Sequence, residues 1–318
     1  MHGVINLAKP AGPTSHDLVA FLRRQLKIKQ IGHTGTLDPL ATGVLPLCVG
    51  DATRLAEYLT GKSKTYRVKM LLGWRSDSYD VTGSMTESDD FRLGSVELLQ
   101  VLEQFRGEIE QIPPMHSAIS VNGTRLYELA RKGESIERES RPVLIEELIL
   151  LTRAPFELRK GSNLELEVTC SKGTYIRTLC DDIGNQLGCG AVMQQLERTR
   201  SGLFSLKQAV SQEEVEQACA AGEAASLLTK LTPEHLGLPA CILTAADILE
   251  LSFGRTVAFS DAKVWSKEIL VCDAEGNLHA IAEVLAGDQA QKALLKPHKV
   301  FRNLIAMDLS SLKVEANR

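Results

Sequence analysis

Gly32-His-Thr-Gly-Thr-Leu-Asp-Pro-Leu-Ala-Thr-Gly-Val-Leu-Pro46, with Val49-Gly-Asp-Ala-Thr-Arg54 close behind, is the densest signal in the chain. Four glycines and two prolines within nineteen residues cannot form a helix interior, so the stretch reads as a shaped loop between regular elements. Loops of this kind carry function disproportionately, and Gly32, Gly35 and Gly43 let the backbone approach a ligand or a strand closely. The Gly-Lys-Ser/Thr ending of a phosphate-cradling loop is missing and no G-x-G-x-x-G occurs, which sets a nucleotide-phosphate site aside. Asp38 is the only carboxylate between Asp17 and Asp51. Two roles fit it. An Asp before Pro commonly starts and caps a turn. Alternatively, a lone carboxylate in a rigid, partly dry pocket serves as nucleophile or base, and then it requires a cationic partner.

Outward from this loop, short β-branched or apolar runs alternate irregularly with helical patterns. Gly3–Leu7 and Val44–Val49 read as strands, and Thr14 or Ser15 can cap a helix over His16–Leu26. Asp51 stands at an N-cap position before a helix over Ala52–Leu59. Thr65–Leu72 alternates Tyr66, Val68, Met70 and Leu72 against Arg67 and Lys69, a strand with one buried face. Ser95–Phe105 and Tyr175–Leu187 are amphipathic helices, and Leu144–Leu151 and Leu164–Cys170 are strands. This mixture predicts an α+β fold rather than a doubly wound one. Asn122–Pro142 is polar and reads as a protruding hairpin or helix laid over a surface, while Gln212–Leu236 reads as a helical connection. From about Leu243 short strands with turn signals predict a compact β-rich second domain, so the expected division is 1–242 and 243–318.

The 318 residues are 44% hydrophobic and 24% charged with no repeat, which excludes wholesale disorder and fibrous structure. The net charge of −4 hides an asymmetry. Residues 1–75 hold eleven Lys/Arg against four acids, a local +7, and residues 76–112 hold two against nine, a local −7. A polyanion feels the local potential within about 10 Å, so this distribution permits a nucleic-acid partner without establishing one. Seven cysteines without a C-x-x-C pair fit a reducing compartment and argue against structural zinc or a disulfide framework. No apolar run approaches the roughly 18 residues of a membrane span, and the N-terminus lacks the pattern of a signal peptide. The expected location is cytoplasmic.

Six blocks occur in order: Lys9-Pro-Ala-Gly-Pro-Thr-Ser15, Gly32-His-Thr-Gly-Thr-Leu-Asp-Pro39, Lys64-Thr-Tyr-Arg67, Leu72-Gly73 with Ser76-Asp-Ser-Tyr-Asp80, Pro113-Pro-Met-His-Ser-Ala118, and Cys170-Ser-Lys-Gly-Thr-Tyr-Ile-Arg177. Together they resemble the bacterial TruB family of tRNA pseudouridine synthases over roughly residues 3–205, and the tail resembles the PUA RNA-binding domain of that family. The resemblance implies a mixed, largely antiparallel sheet with flanking helices, a thumb-like insertion at about 122–142, and a PUA-like domain. It implies isomerisation of uridine 55 in the TΨC loop of tRNA, with the target base flipped into a pocket and no cofactor or metal. By the same resemblance Asp38 is the catalytic aspartate and Arg177 its cationic partner. Tyr66 stacks on the flipped base, Tyr175 lies near it, Leu196 is an apolar pocket wall, and His33 contacts or displaces loop nucleotides. Arg125, Arg131 and Lys132 of the insertion are expected to touch RNA backbone.

Arg54 stands where the family often has Lys, which retains the charge but changes its geometry. The partner implied is the T stem-loop of tRNA, with no membrane, obligate protein partner or guide RNA. Two other readings share the scaffold: a guide-RNA-dependent synthase of archaea and eukaryotes, and a non-catalytic RNA-binding or RNA-folding protein. The chain shows no extra basic extension for partner proteins, and Asp38, Tyr66 and Arg177 are all present, which favours the stand-alone enzyme.

Overall fold

A computed structural model describes residues 1–117, 119–121, 123–153, 157–259, 266–285 and 293–301. Its centre is a nine-stranded sheet made of β1 (Gly3–Lys9), β2 (Ile31–His33), β3 (Thr42–Val49), β4 (Lys64–Leu72), β5 (Gly107–Gln111), β6 (Arg141–Leu150), β7 (Asn163–Cys170), β8 (Ala191–Ser201) and β9 (Phe204–Ser205). The main path runs β1-β3-β8-β4-β7-β6-β5, with β2 beside β3 and β9 beside β8. Every pairing is antiparallel except β3 with β8. The fold is therefore α+β with a mixed, largely antiparallel sheet.

Local chemistry explains the elements that position the site. Helix α1 (Ser15–Leu26) starts in a capping box: the Thr14 hydroxyl accepts from the Asp17 amide at 3.1 Å, and the Asp17 carboxylate accepts from the Thr14 amide at 2.8 Å. Leu18, Val19, Phe21, Leu22 and Leu26 form its buried face. On β4, Tyr66, Val68, Met70 and Leu72 are buried against α1, α2 (Ser95–Gln104) and α3 (Ile176–Gln186) in one core. The expected helix over Ala52–Leu59 is instead a 3-10 turn at Gly50–Leu55 followed by Ala56–Thr60. The buried residues account for it: Ala52 and Leu55 are three apart, the period of a 3-10 turn, and Leu55 and Leu59 are four apart. Asp51 does not cap this element; its amide donates to His2 Nδ1 at 3.0 Å.

The expected helical connection over Gln212–Leu236 is broken. Helix α4 (Gln212–Ala220) ends before Gly222, which has φ +76°, and only short pieces at Ala224–Leu227 and Pro233–Leu236 follow. Within 122–142, a small hairpin pairs Ser120–Val121 with Thr124–Arg125 and leads into Leu126–Arg131, while β6 already begins at Arg141. Lys132 is exposed, and the side chains of Arg125 and Arg131 lie outside the described residues.

A second, five-stranded sheet is built from β10 (Ala240–Ile242), β11 (Val257–Phe259), β12 (Glu268–Cys272), β13 (Leu278–Leu285) and β14 (Ala293–Val300), in the order β10-β12-β13-β14-β11. Its first strand starts three residues ahead of Leu243, and residues 302–318 lie outside the described residues. One face packs on α5 (Ala245–Ser252) through Ile248 and Leu251. The other shares a core with the back of the first sheet, where Leu270, Ile281 and Phe301 meet Val4, Val44, Cys48 and Leu55. Polar contacts close the seam: Arg54 Nη1 donates to the Val300 carbonyl, Lys299 to the Arg54 carbonyl and to Glu57, and Tyr58 to Glu268. Ile281 is fully buried in this shared core. Ile281→Ala is therefore expected to cost about 2–5 kcal/mol of unfolding free energy, read by chemical denaturation of the full chain.

Candidate active site

The loop between β2 and β3 is held from below by side chains that bond its backbone. Lys9, the last residue of β1, is 2% exposed, and its ammonium donates to the carbonyls of Pro10 at 2.9 Å, Pro39 at 3.1 Å and Ala41 at 2.7 Å. The Ser15 hydroxyl accepts from the Leu37 amide at 2.8 Å and lies 3.1 Å from the Leu37 carbonyl. Arg198 of β8 donates to the carbonyls of Gly35 at 3.1 Å and Val44 at 2.7 Å. Burial pulls Lys9 down to about 8, with Asp38 opposing the fall and Arg198 adding to it. Gly43 lets the loop return: its φ is +101°, and a Cβ there would sit 2.2 Å from the Arg198 carbonyl oxygen.

Asp38 sits at the middle of this clamped loop. Its carbonyl accepts from the Ala41 amide at 3.0 Å, closing a turn with Pro39 at the second position. Its carboxylate turns to a distant partner instead of the turn. Arg177, in the first turn of α3, meets it with Nε 2.9 Å from Oδ2 and Nη2 donating to Oδ1 at 3.2 Å, a two-point fork. The Arg177 side chain is 6% exposed and that of Asp38 is 35% exposed, so the cation is buried behind a carboxylate that opens toward solvent. The rest of the guanidinium is occupied by the carbonyls of His116 at 2.8 Å and Ser78 at 3.2 Å.

A second carboxylate stands behind the arginine. Asp80 Oδ2 is 3.9 Å from Arg177 Nη1. Its Oδ1 accepts from the Ser78 hydroxyl at 2.8 Å and from the Thr82 amide at 2.9 Å. The preceding Tyr79 has φ +63°, a conformation that a bulky residue rarely adopts and that the packed loop imposes here. Burial raises the Asp38 carboxyl above its ordinary value; Arg177 pulls it down, Asp80 pushes it up, and Lys9 opposes.

The aromatic residues converge on the same charges. Tyr66 on β4 is buried in the core with Leu196 of β8, and burial raises its phenol, with Asp38 close enough to act in the same direction. Tyr175 is the N-cap residue of α3; its backbone is pinned by Gln111 through bonds of 3.0 and 3.2 Å, and burial raises its phenol too. His33, at the end of β2, is half-buried and its imidazole is held below its usual value by burial and by Arg198. Thus Asp38, Arg177, Tyr66 and Tyr175 share one electrostatic environment, Leu196 backs Tyr66, and His33 flanks the loop. Among the described residues no three His, Cys, Asp or Glu side chains are gathered to hold a metal ion. A separate groove of about 510 Å³, lined by Asp51, Arg54, Phe253 and His298 among others, lies at the seam with the second sheet and includes none of these residues.

Comparison with known proteins follows the same line. The TruB family pseudouridylate synthase N-terminal domain matches residues 23–176, and the tRNA pseudouridylate synthase B C-terminal domain matches residues 177–235. The tRNA pseudouridine synthase B of Pseudomonas putida strain F1 is 40% identical over 304 residues, covering 95% of this chain and 96% of the relative. That of Symbiobacterium thermophilum is 51% identical over 225 residues, covering 70% of this chain and 72% of the relative. The chain belongs to the TruB family of pseudouridine synthases. A chain of a solved Cbf5-Nop10-Gar1 complex superposes with a TM-score of 0.71 at 25% identity, covering 94% of this chain and 84% of that one.

Three members of this TruB-family site had no role assigned from sequence: Lys9, Asp80 and Arg198. Lys9 and Asp80 lie inside quoted motifs, yet charged residues in a strand end or a polar loop read as solvated. Arg198 had a usable signal, because the period of two along β8 puts it on the same side as Leu196. Lys9→Met removes the ammonium at similar length and leaves its carbonyl acceptors short of a donor, at about 1–3 kcal/mol for each group left unsatisfied. Lowered thermal stability and faster proteolysis within the Asp38 loop are the expected outcomes, measured by a melting curve and limited digestion.

Proposed function

We propose that this synthase converts uridine 55 in the TΨC loop of tRNA to pseudouridine, with Asp38 as its catalytic residue. The observation that carries the reading is the Asp38–Arg177 fork at the mouth of a rigid loop, a carboxylate that opens outward while its counter-charge is buried behind it. The tRNA named in the curated relatives supports the substrate class. The N1–C1′ bond breaks, the uracil turns in place, and a C5–C1′ bond forms while the C5 proton is lost and N1 gains one. Nothing is oxidised or reduced, so no cofactor is required by the balance. Asp38 acts in its ionised form as the anionic nucleophile or base, and Arg177 keeps it ionised and aimed.

The target uridine leaves its stack at a cost of a few kcal/mol and enters beside Tyr66, which stacks on it. Tyr175 and Leu196 bound the pocket, and His33 contacts or displaces loop nucleotides. The 1–242 part carries the chemistry, with the 122–142 segment closing over the stem-loop. The β-rich part after it acts as a PUA-like RNA-binding module, for which the groove with Arg54 and the exposed Phe253 supplies a cation and a stacking face. The enzyme works alone, without guide RNA.

The test is turnover of an unmodified T-arm hairpin by the pure protein. Asp38→Asn is expected to abolish pseudouridine formation while hairpin affinity stays within a few-fold, since phosphate contacts supply most of the binding. Retained activity would remove Asp38 from the chemistry, and a need for added guide RNA would remove the stand-alone reading. The pH dependence has a definite sign. Because the raised pKa of Asp38 must be crossed to ionise it, kcat should fall on the acid side at a pH above the ordinary carboxylate range. Asp80 contributes to that elevation, so Asp80→Asn should move the acid limb of the profile to lower pH.

A further inference from the structure

Arg198 is 1% exposed, among the largest fully buried side chains of the protein, and no carboxylate lies within 4 Å of it among the described residues. Desolvating a guanidinium is costly, and an apolar residue of similar volume would fill the space more cheaply. What the fork provides is reach in several fixed directions. Nε bonds Val44 on the chain's exit from the loop, and Nη2 bonds Gly35 on its entry, so the two carbonyls bracket Asp38. Across the strand pair Arg198 stands opposite Tyr66, and its positive charge favours the ionised form of the Tyr66 phenol. The register between β8 and β4 shifts between Arg198 and Arg200, a bulge of the kind that re-aims a side chain. The parallel pairing of Arg198 with Gly43 then seats the loop backbone directly on this residue.

We propose that Arg198 is a positioning residue of the isomerisation. It ties both ends of the Asp38 loop to the strand position paired with Tyr66, so that carboxylate and stacking ring keep their spacing while the base turns. This rests on the chemistry proposed above and adds a residue that never touches the substrate. Arg177 sets the charge and aim of Asp38; Arg198 sets where Asp38 and Tyr66 stand relative to each other.

Arg198→Lys retains the charge but replaces the planar fork, whose separate Nε and Nη2 donors reach Val44 and Gly35, with a single point. Turnover and binding of the T-arm hairpin are measured alongside amide hydrogen exchange in the full chain. The expected result is a kcat at least about 10-fold lower, equivalent to about 1.4 kcal/mol of barrier, with KM within about three-fold. Exchange should quicken in residues 35–44 and stay unchanged in β4 and β7. A kcat within about two-fold of wild type overturns the proposal. So does exchange raised equally through β4 and β7, which would make Arg198 a general strut of the sheet. If the lysine variant is not recovered folded, Arg198→Gln takes its place under the same criteria, and failure of both to fold also overturns the proposal. A wild-type protein that does not turn over the hairpin counts against the functional reading, whereas the exchange measurement still decides the brace.

Discussion

The site depends on backbone carbonyls bonded to buried cations. Lys9 and Arg198 take four carbonyls of the loop that carries Asp38 and its exit into β3, one ahead of Asp38 and three after it, and Ser15 takes the peptide of Leu37. Each buried cation carries a desolvation cost, and several short carbonyl bonds per cation offset it. A carboxylate partner for either one would neutralise the charge locally but leave the loop untied. Bonding to carbonyls does both tasks: it satisfies the cation and converts a glycine-rich segment, otherwise the most mobile kind of chain, into a fixed support. The positive charge stored beneath the loop also favours the ionised form of the one carboxylate it carries, as Lys9 does for Asp38.

Topology explains how residues so far apart in sequence reach this loop. Antiparallel neighbours β4 and β8 place Tyr66 opposite Arg198 and Val68 opposite Leu196, so all three site residues, Tyr66, Leu196 and Arg198, come from one cross-strand ladder. The parallel pairing of β3 with β8 brings Gly43 onto Arg198. From the far side, β7 ends at Cys170 and the chain turns through Tyr175 into α3, whose first turn delivers Arg177. Four separate stretches thus meet at one carboxylate, and each is anchored in regular structure except the loop itself. That exception is the reason the loop needs its clamps.

The legible parts of the sequence were those governed by local rules. The capping box at Thr14, the amphipathic face of α1 and the alternation of β4 all follow from spacing within a dozen residues. The misread parts show where such rules stop. Ala52–Leu59 has an apolar spacing of three and then four, and helical periodicity alone does not separate a 3-10 turn from an α-helix. Asp38 admitted two roles because its partner lies 139 residues downstream and no local pattern announces it. Lys9, Lys64, Asp80 and Arg198 are all buried, yet charge counted along the chain treats every one of them as surface. Their burial is set by acceptors that only the folded chain brings close.

The seam between the two sheets extends the same logic to the whole molecule. Val44 takes part in both: its carbonyl is bonded by Arg198, and its side chain lies in the apolar core shared with Leu270, Ile281 and Phe301. Strand β3 is therefore pinned on one face by the second sheet and on its backbone by the brace beneath the Asp38 loop. The 3-10 turn that follows β3 carries Arg54, and through it the Val300 carbonyl and the Phe301 ring, into the same seam. The terminal sheet is thus no loose appendage. It is joined through one strand, β3, to the loop that carries Asp38.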